Sequence, residues 1–160
     1  MSSFVRRVRL IILLLFALSR ITVAQSGASA AERSLFKAAN RERTAHALHA
    51  LKWDPALARA ARNHAAAMAK RNAAEHHFSG EPSLPARVTK AGGRFLSLSE
   101  NVVKSMSASQ AHSQFMNSTS HRANILDREM DSVGIGVAER GKRLFVVEDF
   151  SRARRSVGGR

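Results

Sequence analysis

The sequence contains no cysteine. Thiolate catalysis, zinc–thiolate sites and iron–sulfur clusters are therefore excluded. Small exported domains of eukaryotes often carry disulfides. A bare chain of this size that is exported favours a bacterial source and must rely on its core alone. Also missing is an apolar run of the roughly 20 residues that a membrane-spanning helix needs. The apolar run near the start covers only Leu10 to Leu18, and Arg20 interrupts any extension. It follows Arg6, Arg7 and Arg9 and gives way to small residues ending in "TVA". That order of basic, apolar and small residues is the pattern of a secretory signal. Residues 1–24 are read as that signal, with an uncleaved anchor as the alternative. Cleavage is expected after Ala24, with "ASA" before Ala31 as the second choice. The expected destination is the periplasm or the outside of the cell.

Acidic residues are scarce. Twelve Asp and Glu face 26 Lys and Arg, for a net charge of +14. The signal holds four arginines and no acid, which leaves +10 on residues 25–160. Such a balance attracts anionic lipid headgroups and cell-envelope polymers, or simply keeps the protein soluble. Export makes nucleic acid the least suitable partner. Nothing in the sequence sets an oligomeric state.

What is present divides into a linker (25–32), one domain (33–150) and a basic tail (151–160) read as disordered. At 160 residues the chain has room for one ordinary domain. Leu35, Ala38, Ala39 and Ala45 share a broad face, which predicts a helix from Arg33 to about Ala45. "WDPALARAARNHAAAMAKRN" is the clearest helix: Asp54 caps it, Pro55 suits its first turn, and Leu57, Ala61, His64, Ala65 and Met68 form one stripe. A loop marked by Gly80 and Pro82 follows, then a short helix over Leu84–Lys90 ended by "AGG". "RFLSLSENVVKS" reads as extended. "SASQAHSQFMNS" reads as a helix with Ala108, Ala111, Phe115 and Met116 inward. "SVGIGVAERGKRLFVVEDF" reads as a β-hairpin turning at Gly141. Helices first and strands last imply α+β architecture, helices packed on a small antiparallel sheet.

No "HExxH" helix and no Ser–His–Asp arrangement stands out. Ser118 and Ser120 read as helix-capping residues. His64 lies on an apolar stripe and reads as a satisfied core residue, whereas His46, His49 and His112 read as surface. Trp53 reads as a core anchor.

Taken in order, "NRERTAHALHALKWDPALARAARNHAAAMA", a following His, "ARVTKAG", "SEN", "FMNSTSHRANIL", "VGIGVA" and "FVVEDF" resemble the CAP superfamily, the cysteine-rich secretory, antigen 5 and pathogenesis-related-1 group with its SCP domain, in a bacterial form without cysteines. The resemblance implies an α–β–α sandwich with a mainly antiparallel central sheet. It also implies a cleft lined by two histidines and one or two glutamates, here His76, Glu100 and His121, with His77 as the alternative to His76. Asn40, Arg43 and Asn101 are expected to tie segments together through buried hydrogen bonds. The second cleft glutamate has no clear counterpart; Glu75 and Glu81 are near but unaligned. Phe115 stands where Trp is usual, and Glu148 where Gln is common.

Two imidazoles and a carboxylate form a donor set that can hold a divalent metal, zinc first, with a position left for water. No cofactor is certain from the sequence. Without metal, a Glu–His pair could still act as a base. Glu100 has a second reading as a loop pin that accepts backbone N–H bonds. His121 has one as a donor to Glu100. The family resemblance points to a secreted binding module for lipid or a cell-envelope ligand, with a metal-dependent, peptidase-like hydrolase as the alternative.

Overall fold

The computed structural model describes residues 27–153. The expected signal, and the basic tail after Ala153, lie outside them. Helix α1 spans Ala30–Ala45 and begins three residues before Arg33. A capping box explains the early start: Ser29 Oγ accepts from Glu32 N, and Glu32 Oε2 accepts from Ser29 N at 2.7 Å. Glu32 is itself buried, and both its oxygens are bonded by Arg62. The expected linker therefore ends at about Ala28, which is already buried.

Strand β1 (Lys52–Trp53) was not legible in the sequence, because two residues show no alternation. It runs parallel to β3. Helix α2 (Pro55–Arg71) forms where expected: Asp54 Oδ1 accepts from Ala56 N and Leu57 N, and Asn72 ends it in the left-handed region with φ 57°. Helix α3 covers Leu84–Lys90, β2 Phe95–Ser105, α4 Ala108–Asn117 and α5 Thr119–Ile125. Strands β3 (Ser132–Arg140) and β4 (Arg143–Ala153) form the expected hairpin. Gly141 takes φ 58° at its first central position, where L side chains are strained. Strand β4 continues to Ala153, so the first three residues of the expected tail belong to the sheet.

The sheet order is β1-β3-β4-β2, antiparallel except for the β1–β3 pair. Its central strand, β4, is buried on both faces, which explains the apolar run "LFVV". Val133, Ile135, Val146 and Phe150 face α1, α4 and α5 in one core. Val102, Phe145 and Val147 face α2 in another. The α–β–α sandwich is thus present. Helix α2 lies directly on β3: a Cβ at Gly134 would fall 2.0 Å from Ala58 N, and one at Gly136 2.2 Å from the Ala61 carbonyl carbon. Only glycine permits that approach.

Arg43 and Asn40 tie the other layer, as expected. Arg43 is buried and donates to the carbonyls of His49, Ile125, Asp127 and Met130. Asn40 accepts from Leu51 N and donates to Leu51 O. Trp53 is half-buried and meets Phe36 edge-on, anchoring the rim of the core. Arg43→Met retains the bulk but strands four carbonyls. It should lower the unfolding free energy by about 3 kcal/mol or more. Urea titration checks this, and a loss below about 1 kcal/mol would remove the arginine clamp from this account.

Candidate functional site

The site forms at strand β2, which lies at one edge of the sheet. Alternation along β2 aims Glu100 at the α2 layer and Asn101 at the α1, α4 and α5 layer. Glu100 is only 8% exposed, so its charge must be paired. Its Oε1 lies 2.9 Å from His76 Nδ1, and its Oε2 accepts from Arg87 Nη2. Arg87 is buried and also donates through Nη1 to the carbonyls of His76 and Pro82. One guanidinium therefore joins α3, the loop carrying His76, and β2.

His64 of α2 is the satisfied core residue the apolar stripe implied. It is fully buried, with Nδ1 2.7 Å from Glu81 Oε1 and Nε2 2.8 Å from the Glu75 carbonyl. It thereby holds the loop over residues 75–81 against α2. Glu81 is a latch for that loop rather than a second cleft acid, and Glu75 is exposed. His77 turns away, with Nε2 2.7 Å from the Glu81 carbonyl. His76 is thus the histidine that meets Glu100.

On the opposite layer, Asn101 Nδ2 donates to the His121 carbonyl and to Glu148 Oε2, and its Oδ1 accepts from Asn124 at 2.9 Å. Asn124 also donates to the Glu100 carbonyl. These bonds pin α5 to the edge of β2, the structural role expected of Asn101. The His121 ring makes no hydrogen bond to Glu100 among the described residues. It packs edge-on against Phe115, with ring centroids 5.3 Å apart. The reading of His121 as a donor to Glu100 is therefore corrected: the backbone of His121, not its imidazole, makes the tie.

Two other expectations change. Ser118 sits at the N-cap of α5, but its hydroxyl pairs with Ser120 Oγ and makes no capping bond. His112 is half-buried rather than on the surface, with Nε2 3.6 Å from Glu42 and Nδ1 buried without a partner among the described residues. His46 and His49 are exposed, as expected.

The two cleft histidines differ electrically. The hydrogen bond to Glu100 raises the His76 pKa above its ordinary value, against smaller opposing contributions from desolvation and Arg87. Burial lowers that of His121, and the charge of His76 lowers it further. The site therefore favours the charged form at His76 more than at His121.

Two acids in β4 were missed as site residues. Glu148 and Asp149 are adjacent and fully buried on opposite faces. Asp149 is the cross-strand partner of Glu100. It receives no hydrogen bond from a donor among the described residues. Burial, and then the charge of Glu100, drive its pKa well up. A second acid thus stands behind the cleft, supplied by β4. The signal was available: two acids interrupt an otherwise apolar strand. Glu148 is pushed to about 7 by burial, partly offset by Asn101.

The metal set expected from the sequence, His76, Glu100 and His121, shares its carboxylate with other partners. Both oxygens of Glu100 are engaged, one by His76 and one by Arg87. No group of three His, Asp or Glu side chains among the described residues is placed to hold a metal ion. Glu100 Oε1 meets the His76 ring at Nδ1.

A family model described as the cysteine-rich secretory protein family, CAP, matches residues 36–150. The chain belongs to the CAP family. Among solved structures it is similar to an extracellular SCP-domain protein of Bacillus anthracis, with 26% identity and a TM-score of 0.71. That match covers 76% of this chain and 40% of the other, so the chain spans less than half of that relative. An outer surface protein of Borrelia burgdorferi matches with 18% identity and a TM-score of 0.71, over 78% of this chain and 93% of its own. A structure solved with Zn2+ matches with 15% identity and a TM-score of 0.57, over 81% and 84%. No functionally curated protein matches the chain. The CAP member described here carries the fold without a single cysteine.

A raised carboxyl pKa means that the folded state holds its proton more tightly than the unfolded chain does. Stability from Glu148 is full below about pH 4.5, falls as pH rises to about 7, and stays lost above. Glu148→Gln keeps an acceptor for Asn101 and removes the titration. It should match the parent at pH 4 and exceed it by about 2–3 kcal/mol at pH 8. Denaturant unfolding at both pH values checks this; an unchanged difference between them would overturn the assignment.

Proposed function

We propose that this CAP protein is exported and acts outside the cytoplasm as a binding module for an anionic lipid or cell-envelope polymer, not as a hydrolase. The observation that carries this reading is the engagement of Glu100. A hydrolytic base must be aimed at water or substrate, and Glu100 is only 8% exposed. Here one oxygen meets His76 and the other meets Arg87, with Asp149 behind them. The group is built to hold three segments together. The charge of the chain supports the choice of an anionic ligand. The extracellular and outer-surface structures that share the fold agree with export.

Sedimentation with phosphatidylglycerol vesicles tests the reading. The protein should pellet with them at low salt and be released by about 0.5 M NaCl, where the Debye length falls to a few ångströms. Phosphatidylcholine vesicles should not retain it. Binding indifferent to salt, or no binding, would sink the anionic-ligand reading.

Zinc supplies the second arm. After dialysis against zinc the protein should hold no stoichiometric metal, because the carboxylate needed as third ligand is occupied. Tight one-to-one uptake that His121→Ala abolishes, together with peptide hydrolysis, would instead establish the metal hydrolase.

A further inference from the structure

Arg87 also lines a cavity of about 360 Å3 between α2 and α3. The polar groups around it are Arg59, Asn63, Glu81, Arg87 and Lys90. Three of these five are cationic. The one acid, Glu81, already has its oxygens against His64 Nδ1 and Phe78 N. It keeps its charge, so one acid faces three cations and the lining remains positive.

The three cations differ in how they are held. Arg87 is fixed: it is buried, and its terminal nitrogens are bound to Glu100 and two carbonyls. Its Nε is a buried donor with no acceptor among the described residues. Buried donors in folded proteins are normally satisfied, and an orphan of this kind is met by strain, a bound water or an ion. Arg59 lies across the C-terminal turn of α3, where Nη2 donates to the Ala91 carbonyl at 2.7 Å, leaving its other N–H groups free to point elsewhere. Lys90 is exposed and has no hydrogen-bond or ion-pair partner among the described residues.

We propose that this cavity binds a phosphate-class oxyanion, with Lys90 and Arg59 supplying mobile charge over the fixed guanidinium of Arg87. A tetrahedral anion presents several acceptor oxygens and matches a surplus of charged donors better than a single carboxylate does. A lone phosphate would occupy only part of 360 Å3. The remainder suits the polyol or sugar to which an envelope phosphate is esterified. The site is distinct from the His76–His121 cleft but shares Arg87 with it, so an anion here bears on the same guanidinium that holds Glu100.

This inference rests on the envelope-binding reading for the origin of its ligand, but its test uses inorganic phosphate as the probe and does not depend on that reading. Calorimetric titration of the full chain with inorganic phosphate should show saturable binding. The double variant Arg59→Gln, Lys90→Gln should weaken it by about tenfold or more. Both residues are exposed, so the fold should survive, which circular dichroism verifies. The control Lys142→Gln, Arg143→Gln removes the same charge at the exposed β3–β4 turn and should stay within about twofold of the parent.

Displacement of phosphate by phosphatidylglycerol vesicles assigns the site to a lipid headgroup. Displacement by glycerol phosphate alone assigns it to a soluble or polymeric phosphate ester. Either result upholds the site. No phosphate binding by the parent, equal loss in both double variants, or phosphate binding that neither ester displaces, which would mark an adventitious ion only, overturns it. Phosphate binding with no salt-sensitive vesicle binding would sink the envelope-lipid reading and leave the oxyanion site standing.

Discussion

A carboxylate removed from water must find partners, and in this protein the requirement falls on Glu100. The partners come from separate parts of the chain. Arg87 arrives from α3, His76 from the loop after α2, and Asp149 from the neighbouring strand. His64 approaches to 3.9 Å from within α2. Two of these segments, α3 and the loop that carries His76, are short or irregular in their own right. Their shared interaction with one buried acid explains why the 75–91 region, which contains only a seven-residue helix, has a defined place against the sheet.

That arrangement is possible only because the layers stand at the correct separation. Gly134 and Gly136 let the backbone of α2 rest on β3. A side chain at either position would lift the helix, and with it His64 and the loop it latches. On the other face, Arg43 fixes the turn after α5 by bonding Ile125, Asp127 and Met130 carbonyls. Helix α5 then presents His121 to the β2 edge and receives Asn101 at its backbone. The cleft is thus a junction between two independently clamped layers. Its electrical asymmetry, with the His76 pKa raised and that of His121 lowered, follows from the Glu100 hydrogen bond at His76 and from burial at His121.

Arg87 connects this junction to the basic cavity between α2 and α3. A rigid guanidinium can serve both because its donors diverge in one plane. Its terminal nitrogens hold the protein together, and its Nε remains unspent. The positive charge of the chain, which in sequence is only a total, acquires a location here.

Much of the architecture could be read from the sequence. Asp54 and Pro55 announced α2, Gly141 announced the hairpin, and the loose alternation of "RFLSLSENVVKS" announced β2, because caps, turns and periodicity are local properties of the chain. His76, Glu100 and His121 were singled out by resemblance, as were Asn40 and Arg43, which bond the backbone of Leu51 and Ile125. Strand β1 escaped, since a two-residue strand exists only through its partner. So did Asp149, whose place beside Glu100 depends on strand register, and the commitment of Glu100 to Arg87, 13 residues away in sequence. The sequence by itself determined where the chain would be helical or extended, which faces would be apolar, and that the whole would be basic. Only the tertiary structure decided which charges meet, because pairing between distant residues depends on distance and burial, and neither exists until the layers have packed.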